Sequence, residues 1–474
     1  MKEQKIHRGL ILTVLVIGGF ITILSSTMLA TAYPSIMKTF NVDTSTVQWL
    51  STGFIMANGI MIPISAFLIN RFPNRHMYMS ALLFFLVGTL MCYFAPNFQI
   101  LLAGRIVAAI GAGITMPIMQ TIILTIFPPE KRGVAMGTVG IAIGVAPAIG
   151  PTLSGFLVDH LTWRDVFGVE IPLTIIVLLL SFFFMKNVLE VSHDKFDVLS
   201  GVLAVFGFGI ILYGFAEVGS KGWGNSTVIS CIVVGAIIIG LFAYRQFKME
   251  HPFLELRVFK TWRFTLTTII ASLSYTAMIS AEMVLPMYIQ NILGNSAFQS
   301  GLILLPGALG MMIMSPISGQ LFDRFGARYL AICGSLFLII GTVPFLYISP
   351  TTPTLYITLF YAVRVFGIAM MMMTLTTYGM NALPVKLMAH GTAVNNTSRQ
   401  VLGSIGTAII TSILSNVAKN SAPAKSLLHS QPLLYKDQMI NSVISGYKVA
   451  FLVAVIVAVV VLLLSLLVPK KEAK

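Results

Sequence analysis

The chain of 474 residues is 57% hydrophobic and only 10% charged, whereas an average soluble protein carries about 25% charged residues. Apolar runs long enough to cross a bilayer recur along the whole chain, which excludes a soluble fold; the short alternating segments of a membrane β-barrel are absent. The net charge of +14 arises from basic residues at the ends of the apolar runs, so nucleic acid is not an expected partner. The composition predicts an all-α, polytopic protein embedded in the lipid bilayer.

Fourteen membrane-spanning segments are predicted, and basic residues set their orientation. The segments are 10–33, 49–69, 77–95, 99–126, 134–157, 167–185, 199–217, 226–246, 264–289, 300–321, 329–348, 354–382, 391–416 and 447–468. Most lysines and arginines, including Lys131, Arg132 and Arg245, fall on the side shared by both termini. The positive-inside rule makes that side cytoplasmic. The first apolar core is too long for a signal peptide, so we expect it to remain as an uncleaved helix.

The order of polar landmarks indicates an internal duplication. Arg71 and Arg324, and then Arg105 and Arg364, are separated by nearly the same number of residues. Duplication of a six-helix unit with two inserted helices would produce this spacing. We therefore predict two pseudo-symmetric six-helix bundles, 1–190 and 263–474, joined by two transmembrane helices and a linker at 191–262. The segment 417–446 is predicted to be a solvated connector, with an amphipathic surface helix as the alternative.

A polar hinge follows the tenth segment, and an imperfect copy follows the second. The hinge reads PISGQLFDRFGAR at Pro316–Arg328, and the copy reads PISAFLINRFPNR at Pro63–Arg75. Glycine permits close helix approach, and an aspartate can cap a helix or pair with a neighbouring arginine. A conformational latch is predicted from residues of both copies: Gly319, Asp323, Arg324, Arg328, Asn70, Arg71 and Arg75. The alternative is that the arginines only anchor the loops on the positive side.

The fifth segment contains the stretch GVAPAIGPTLSG at Gly144–Gly155. Small residues at helical spacing give a face with almost no side chains, and prolines remove backbone donors and bend the helix. Helix packing alone explains Gly144, Gly150 and Gly155, whereas Pro147 and Pro151 favour a moving or leak-sealing contact.

Several of these motifs resemble those of one transporter family. GQLFDRFGAR at Gly319–Arg328 resembles the loop motif of the major facilitator superfamily, and Arg105 with Gly111 and Gly113 resembles its fourth-helix motif. The fifth-segment stretch is similar to the motif of the family's exporters, particularly drug:proton antiporters. TWRDVF at Thr162–Phe167, FDVLSG at Phe196–Gly201 and the fourteen spans are similar to the fourteen-helix drug-exporter branch.

The resemblance implies two six-helix bundles around a central cavity and transport by alternating access. It implies small lipophilic or cationic substrates, protons as the driving ion, and a multi-pass position in a bacterial plasma membrane. The chain departs from the family at Ser25, where an acidic residue is often present in the first helix. It also departs at Asn70 and Pro73, where aspartate and glycine are expected, and at Ala108, where glutamine is usual.

Glu282 is the acidic residue that lies well inside a predicted span, whereas Glu170 and Glu217 lie near outer helix ends. A charged carboxylate at membrane depth costs several kcal/mol, so such residues are usually functional. Glu282 is the leading candidate for reversible protonation or for binding a cationic substrate, with a structural ion pair as the alternative. Because Ser25 replaces the family's acid, Glu170 and Glu217 are further candidates for proton coupling, together with Arg105 by resemblance.

The cavity residues are predicted from polarity and from the adaptability of methionine. The predicted lining consists of Ser25, Asn58, Met116, Gln120, Tyr275, Arg364, Met371 and Asn395. Core packing is the alternative for the methionines. Arg399 lies near a predicted cytoplasmic helix end, from which its side chain could extend to the surface.

A proton-driven exporter of lipophilic or cationic drugs is the leading functional hypothesis. An exporter of one dedicated metabolite, peptide or lipid-like compound is the second. A membrane-embedded enzyme or a sensor is remote, because the seven histidines fall in loops or near helix ends and no sizeable soluble domain is present. No GxxxxGK[ST] loop occurs, so ATP is not the expected energy source. Neither a cofactor, a metal site nor a disulfide is expected from Cys92, Cys231 and Cys333, and a monomer is expected.

Overall fold

A computed structural model describes residues 7–192, 196–423 and 431–470, and the regular structure within these ranges is helical. Within these ranges, fourteen helices are long and apolar enough to cross a membrane. They are α1 Arg8–Met28, α2 Thr44–Arg71, α3 Asn74–Tyr93, α4 Phe98–Ile126, α5 Arg132–His160, α6 Asp165–Phe184, α7 Val198–Lys221, α8 Ser226–Lys248, α9 Trp262–Asn291, α10 Ala297–Phe325, α11 Ala327–Thr342, α12 Thr354–Asn381, α13 Met388–Asn420 and α14 Pro432–Leu466. Helix α1 continues through the 3₁₀ turn Leu29–Ala32 into the short helix Tyr33–Phe40. The predicted all-α, fourteen-helix fold is confirmed.

Polar side chains define where several helices begin. Asp43 caps α2 by accepting the Thr46 N–H at 2.7 Å, and Asn97 caps α4 by accepting the Ile100 N–H at 2.9 Å. Each cap satisfies a backbone donor that has no partner within the helix. The capped turns keep their backbone hydrogen bonds in water. The helices therefore extend beyond the apolar runs.

The segment predicted as a solvated connector is the clearest case of this extension. Helix α13 ends at Asn420 and α14 begins at Pro432, so both described parts of 417–446 are largely helical. The part of this segment that includes Lys425 and His429 lies outside the described residues. The predicted spans 391–416 and 447–468 were therefore too short at these ends, since an apolar run marks only the membrane-buried part of a helix.

The packing of the helices repeats within the chain. In the N-terminal bundle, α1–α6, helix α4 packs against α2 and α3, while α1 packs against α5 and α6. Eight helices later, in the C-terminal bundle α9–α14, α12 packs against α10 and α11, while α9 packs against α13 and α14. The two bundles contact each other most extensively along α5 and α10.

The remaining two helices lie at one side of the interface between the bundles. Helix α7 packs against α8, α2 and α13. Helix α8 is the least buried span, and Ile229, Val233, Ile237 and Leu241 form an exposed apolar stripe at helical spacing. Such a stripe suits contact with lipid, whereas water would make its exposure unfavourable. Because fourteen crossings return the chain to its starting side, both described ends lie at one face, called the terminus face below.

Candidate functional site

A cavity of about 980 Å³ lies between the two bundles. Its wall is built from α1, α2, α4, α5, α7, α9, α13 and α14. The cavity extends to Gln48, Asn291 and Ala418, which lie near the helix ends away from the terminus face. Toward the terminus face it ends at Ile62 and Asn396. The cavity therefore extends only to the side of the membrane opposite the terminus face.

Three of the predicted lining residues line this cavity, together with two of the predicted proton-coupling carboxylates. Asn58 belongs to α2, Met116 to α4 and Tyr275 to α9. Glu282 lies two helical turns beyond Tyr275, on the same face of α9, and it is partly exposed in the cavity. Glu217 lines the far end, where its carboxylate pairs with the Lys221 ammonium at 2.9 Å.

Five predicted lining residues lie elsewhere, and these predictions are corrected. Gln120 is buried on the terminus-face side of the cavity, where its Oε1 accepts a hydrogen bond from Asn396 Nδ2 at 2.8 Å. Asn395 donates to Thr268 at 3.3 Å, and Met371 packs at the contact of α11 with α12. Arg364 and Ser25 are also buried away from the cavity. These helices are apolar on every face, so the sequence carries no periodicity from which to orient them.

Arg105 and Glu170 form a sealed polar cluster inside the N-terminal bundle. Arg105 donates from Nη1 to Ser25 Oγ at 3.0 Å, and its guanidinium carbon lies 4.1 Å from the centre of the Phe54 ring. Glu170, on α6, interacts electrostatically with Arg105 and lies beside Ser25. Both charged residues are 1% exposed. The position at which the family often has an acid in its first helix thus contacts the motif arginine, while the carboxylate comes from α6.

The C-terminal bundle brings its own buried arginine near Glu282. Arg364 is 1% exposed and donates from Nη2 to the Ala277 carbonyl oxygen. It is the cation with which Glu282 interacts electrostatically. Arg364 therefore lies behind the cavity wall as a counter-charge for Glu282 and does not face the cavity itself.

The sequence did not predict that Arg399 lines the cavity. Its side chain is 4% exposed and belongs to the cavity wall, so it does not extend to the surface. The guanidinium carbon lies 5.1 Å from the centre of the Tyr275 ring. The sequence did contain one indication of this site, which is Gly403, one turn further along α13. The Tyr275 ring occupies the space that a Cβ at this position would need.

The terminus half of the interface is closed by hydrogen bonds between the bundles. Asp323, at the end of α10, accepts the N–H groups of Gly133 and Val134 at 3.1 and 3.2 Å. These two donors belong to the first turn of α5, where the helix dipole favours an anion. Arg132 Nη1 donates to Asn381 Oδ1 at 2.7 Å, and the Thr121 and Thr392 hydroxyls lie 2.8 Å apart.

Glycines let α5 and α10 approach to backbone contact at this closure. A Cβ on Gly319 would lie 2.6 Å from the Gly133 carbonyl carbon, and one on Gly137 would lie 2.5 Å from the Ser315 oxygen. Further along α5, Gly144 faces Met311 of α10. Gly133 and Gly137 precede the stretch Gly144–Gly155, so the sequence did not predict this part of the contact.

The rest of the fifth-segment stretch has other neighbours. Gly150 packs against Thr27 of α1, and Pro147 lines the cavity. A Cβ on Gly155 would meet no atom within 4 Å, so Gly155 takes no part in a close contact. Pro151 lies half-buried within α5. The predicted glycine face is therefore divided between two neighbouring helices.

The first hinge is held differently from the second. Asn70 Nδ2 lies 3.0 Å from His390 Nε2 near the start of α13, so this hinge also reaches across to the other bundle. Arg71 donates to the Ser192 carbonyl oxygen at 3.4 Å, and Arg75 donates to the Phe182 carbonyl oxygen at 2.6 Å. In the second hinge, Arg324 lies over the Phe325 ring and Arg328 is partly buried. The crossing contact thus uses a carboxylate in one hinge and an amide in the other.

The cavity lies between two repeated helical bundles. It extends to one side of the membrane and is closed on the other by contacts between the bundles. This arrangement defines an alternating-access membrane transporter. A family model described as Major Facilitator Superfamily matches residues 15–407. This match spans most of the chain, and the protein belongs to the major facilitator superfamily. The resemblance inferred from the motifs is confirmed, as is the prediction that the chain is a transporter and not an enzyme.

Individual relatives agree with this assignment. The chain is 49% identical over 421 residues to the uncharacterized MFS-type transporter YcnB of Bacillus subtilis (strain 168), covering 89% of each chain. It is 40% identical over 467 residues to the lincomycin resistance protein LmrB of Listeria innocua, covering 98% of each. The fold is similar to that of the human organic anion transporter MFSD10, with a TM-score of 0.65 and 12% identity over 95% of this chain and 99% of that one.

Proposed function

We propose that the protein exports lipophilic, cationic or amphiphilic drugs in exchange for protons. The observation that carries the proposal is the carboxylate of Glu282 in a cavity of about 980 Å³ at membrane depth. A largely apolar cavity of this size accommodates drug-sized molecules. Similarity to a lincomycin resistance protein over nearly the whole chain supports a drug as the cargo.

We propose that the terminus face is cytoplasmic, because most lysines and arginines lie there. In the described conformation the cavity is then closed toward the cytoplasm and extends toward the outer side of the membrane. In this state Glu282 would take a proton from outside, and the bound substrate would leave. Protonation removes the charge that holds a cation, so proton uptake and substrate release exclude each other at this residue.

The other carboxylates receive different roles in this proposal. Glu170 is sealed beside Arg105 and outside the cavity wall, so a proton can reach it only when the N-terminal bundle rearranges. Glu217 lies at the cavity's outer end and is already paired with Lys221. We therefore expect Glu282 to carry the exchanged proton, Glu170 to tune Arg105, and Glu217 to act at the exit.

The repeated packing supports the division of the chain into 1–190, 191–262 and 263–474, with the inserted helices as a separate unit. Movement of one bundle against the other then requires the α5–α10 contact and the terminus-face bonds to change. All helices that line the cavity come from one chain, and we propose that a monomer suffices for transport.

Transport by purified protein in proteoliposomes tests the proposal. A pH gradient that is acidic on the outer side should drive export of a lipophilic cation such as tetraphenylphosphonium. Glu282→Gln should abolish this export while leaving the melting temperature close to that of the wild type. Glu217→Gln serves as the matched carboxylate variant from the same cavity, and it should retain proton-driven export. Full export by Glu282→Gln would overturn the assignment of the proton site.

A further inference from the structure

Arg399 leaves two hydrogen-bond donors unused inside the cavity wall. Its Nε and Nη1 are buried and have no hydrogen-bond partner within the described part of the chain. The ion pairs found among these residues join Lys221 to Glu217, Arg245 to Asp197 and Arg257 to Glu255, and none involves Arg399. Buried donors are nearly always satisfied, and leaving a charged one unsatisfied is costly. This arrangement calls for a ligand.

The guanidinium of Arg399 lies over an aromatic ring. Its central carbon is 5.1 Å from the centre of the Tyr275 ring, and Gly403 of α13 leaves room for that ring, because a Cβ there would lie 3.2 Å from Tyr275 Cε1. A guanidinium that contacts an aromatic face can still donate hydrogen bonds from its N–H groups. The site is thus built from two helices, α9 and α13.

Glu282 lies in the same cavity, seven residues after Tyr275 on α9. At the helical rise this separation is about 10 Å along the axis. The cavity therefore carries a negative group, Glu282, and a positive group, Arg399, and the ring that Arg399 contacts lies two helical turns from Glu282. A substrate with only a cationic centre would use Glu282 and leave the Arg399 donors without a protein or ligand acceptor.

We propose that Arg399, which lies over the Tyr275 ring, is a subsite for an anionic or strongly hydrogen-bond-accepting group of the substrate. The preferred substrates are then amphoteric molecules, which carry a cationic centre for Glu282 and a carboxylate, phosphate or carbonyl oxygen for Arg399. This inference rests on the proposed export function and identifies the substrate class for the same cavity.

Rhodamine B and its ethyl ester test the subsite, because they share one cationic ring system and differ in whether the carboxylate is free. Binding is measured by fluorescence anisotropy with the purified protein in nanodiscs at pH 7. Arg399→Gln should weaken rhodamine B binding by about tenfold or more and change ester binding by less than about threefold, since charge-assisted hydrogen bonds are the stronger kind. Arg399→Lys, which keeps the charge but loses the planar edge, should fall between the wild type and Arg399→Gln for rhodamine B.

Two controls separate the possible failures. Lys419→Gln removes one positive charge from an exposed position on the same helix, and both dyes should bind this variant as they bind the wild type. Glu282→Gln should weaken binding of both dyes. Equal binding changes for both dyes in Arg399→Gln, or none, would overturn the subsite while leaving the export function intact. Unchanged binding of both dyes by Glu282→Gln, combined with absence of proton-driven export by the wild type, would instead overturn the proposed function.

Discussion

The glycine contact between α5 and α10 makes a quantitative prediction about the closed terminus face. In Gly319→Ala the new Cβ would lie 2.6 Å from the Gly133 carbonyl carbon and 2.8 Å from Val134 Cα, whereas ordinary contacts begin at 3.4 Å. Both neighbours are backbone atoms, so the helices must separate by roughly 1 Å, which weakens the packing between them. Overpacking of this kind costs about 1–3 kcal/mol.

The separation also affects the next turn of α10. Asp323 lies four residues after Gly319, and its bonds to Gly133 and Val134 are already 3.1 and 3.2 Å long. An increase of roughly 1 Å takes both beyond hydrogen-bond range, at a further cost of about 1 kcal/mol. A combined cost of about 3 kcal/mol corresponds to a change of roughly a hundredfold in the ratio of closed to open molecules.

Gly310→Ala is the matched control, because Gly310 lies on the same helix and a Cβ there meets no atom within 4 Å. Both variants gain the same intrinsic helix propensity from alanine. Spin labels at His76 and Tyr329, which are exposed near the terminus face, report the distance between the bundles by pulsed electron resonance. Cys231 and Cys333 are replaced to avoid extra labels. Gly319→Ala should populate longer distances and slow transport; a distance distribution equal to that of Gly310→Ala would refute the reasoning.

Three further predictions concern charged groups. Asp323→Asn should impair transport by about fivefold or more, because a neutral amide loses the favourable interaction of about 1–2 kcal/mol with the start of α5, whereas Asn70→Asp should change it by less; equal small effects would mean that both loops are only anchors. Glu170→Gln should slow transport without weakening binding of tetraphenylphosphonium, because Glu170 lies outside the cavity wall; equally weakened binding would contradict a sealed role. The Arg245 guanidinium, hydrogen-bonded to Asp197, lowers the pKa of that carboxyl from 3.8 to about 2; the pair therefore contributes stability above pH 3.8 that is lost as the pH falls through about 2. Asp197→Asn should lower the melting temperature in nanodiscs at pH 7, and its difference from the wild type should shrink between pH 4 and 2; a difference independent of pH would exclude the charge as its cause.

The sequence by itself determined the class of fold and the most prominent charged group. Long apolar runs require helices, because a bilayer offers no partner for an open backbone. Glu282 could be singled out as a candidate for protonation or for binding a cation, because a charged acid at membrane depth is costly and such residues are usually functional. The hinge at Pro316–Arg328 could be identified as an interface element because its glycine and its charges occur together at a membrane boundary.

Only the tertiary structure decided which groups meet across the helices. Asp323 was expected to cap a helix or to pair with a nearby arginine, and the structure shows that its oxygens accept backbone N–H groups about 190 residues earlier in the chain. Arg399 was expected at the surface and lies in the cavity, while Met371 and Arg364 were expected in the cavity and lie outside its wall. A helix that is apolar all round gives no indication of which face meets lipid, partner helix or cavity. That choice depends on the packing of all fourteen helices, and the packing brings Arg399, Tyr275 and Glu282 into one site.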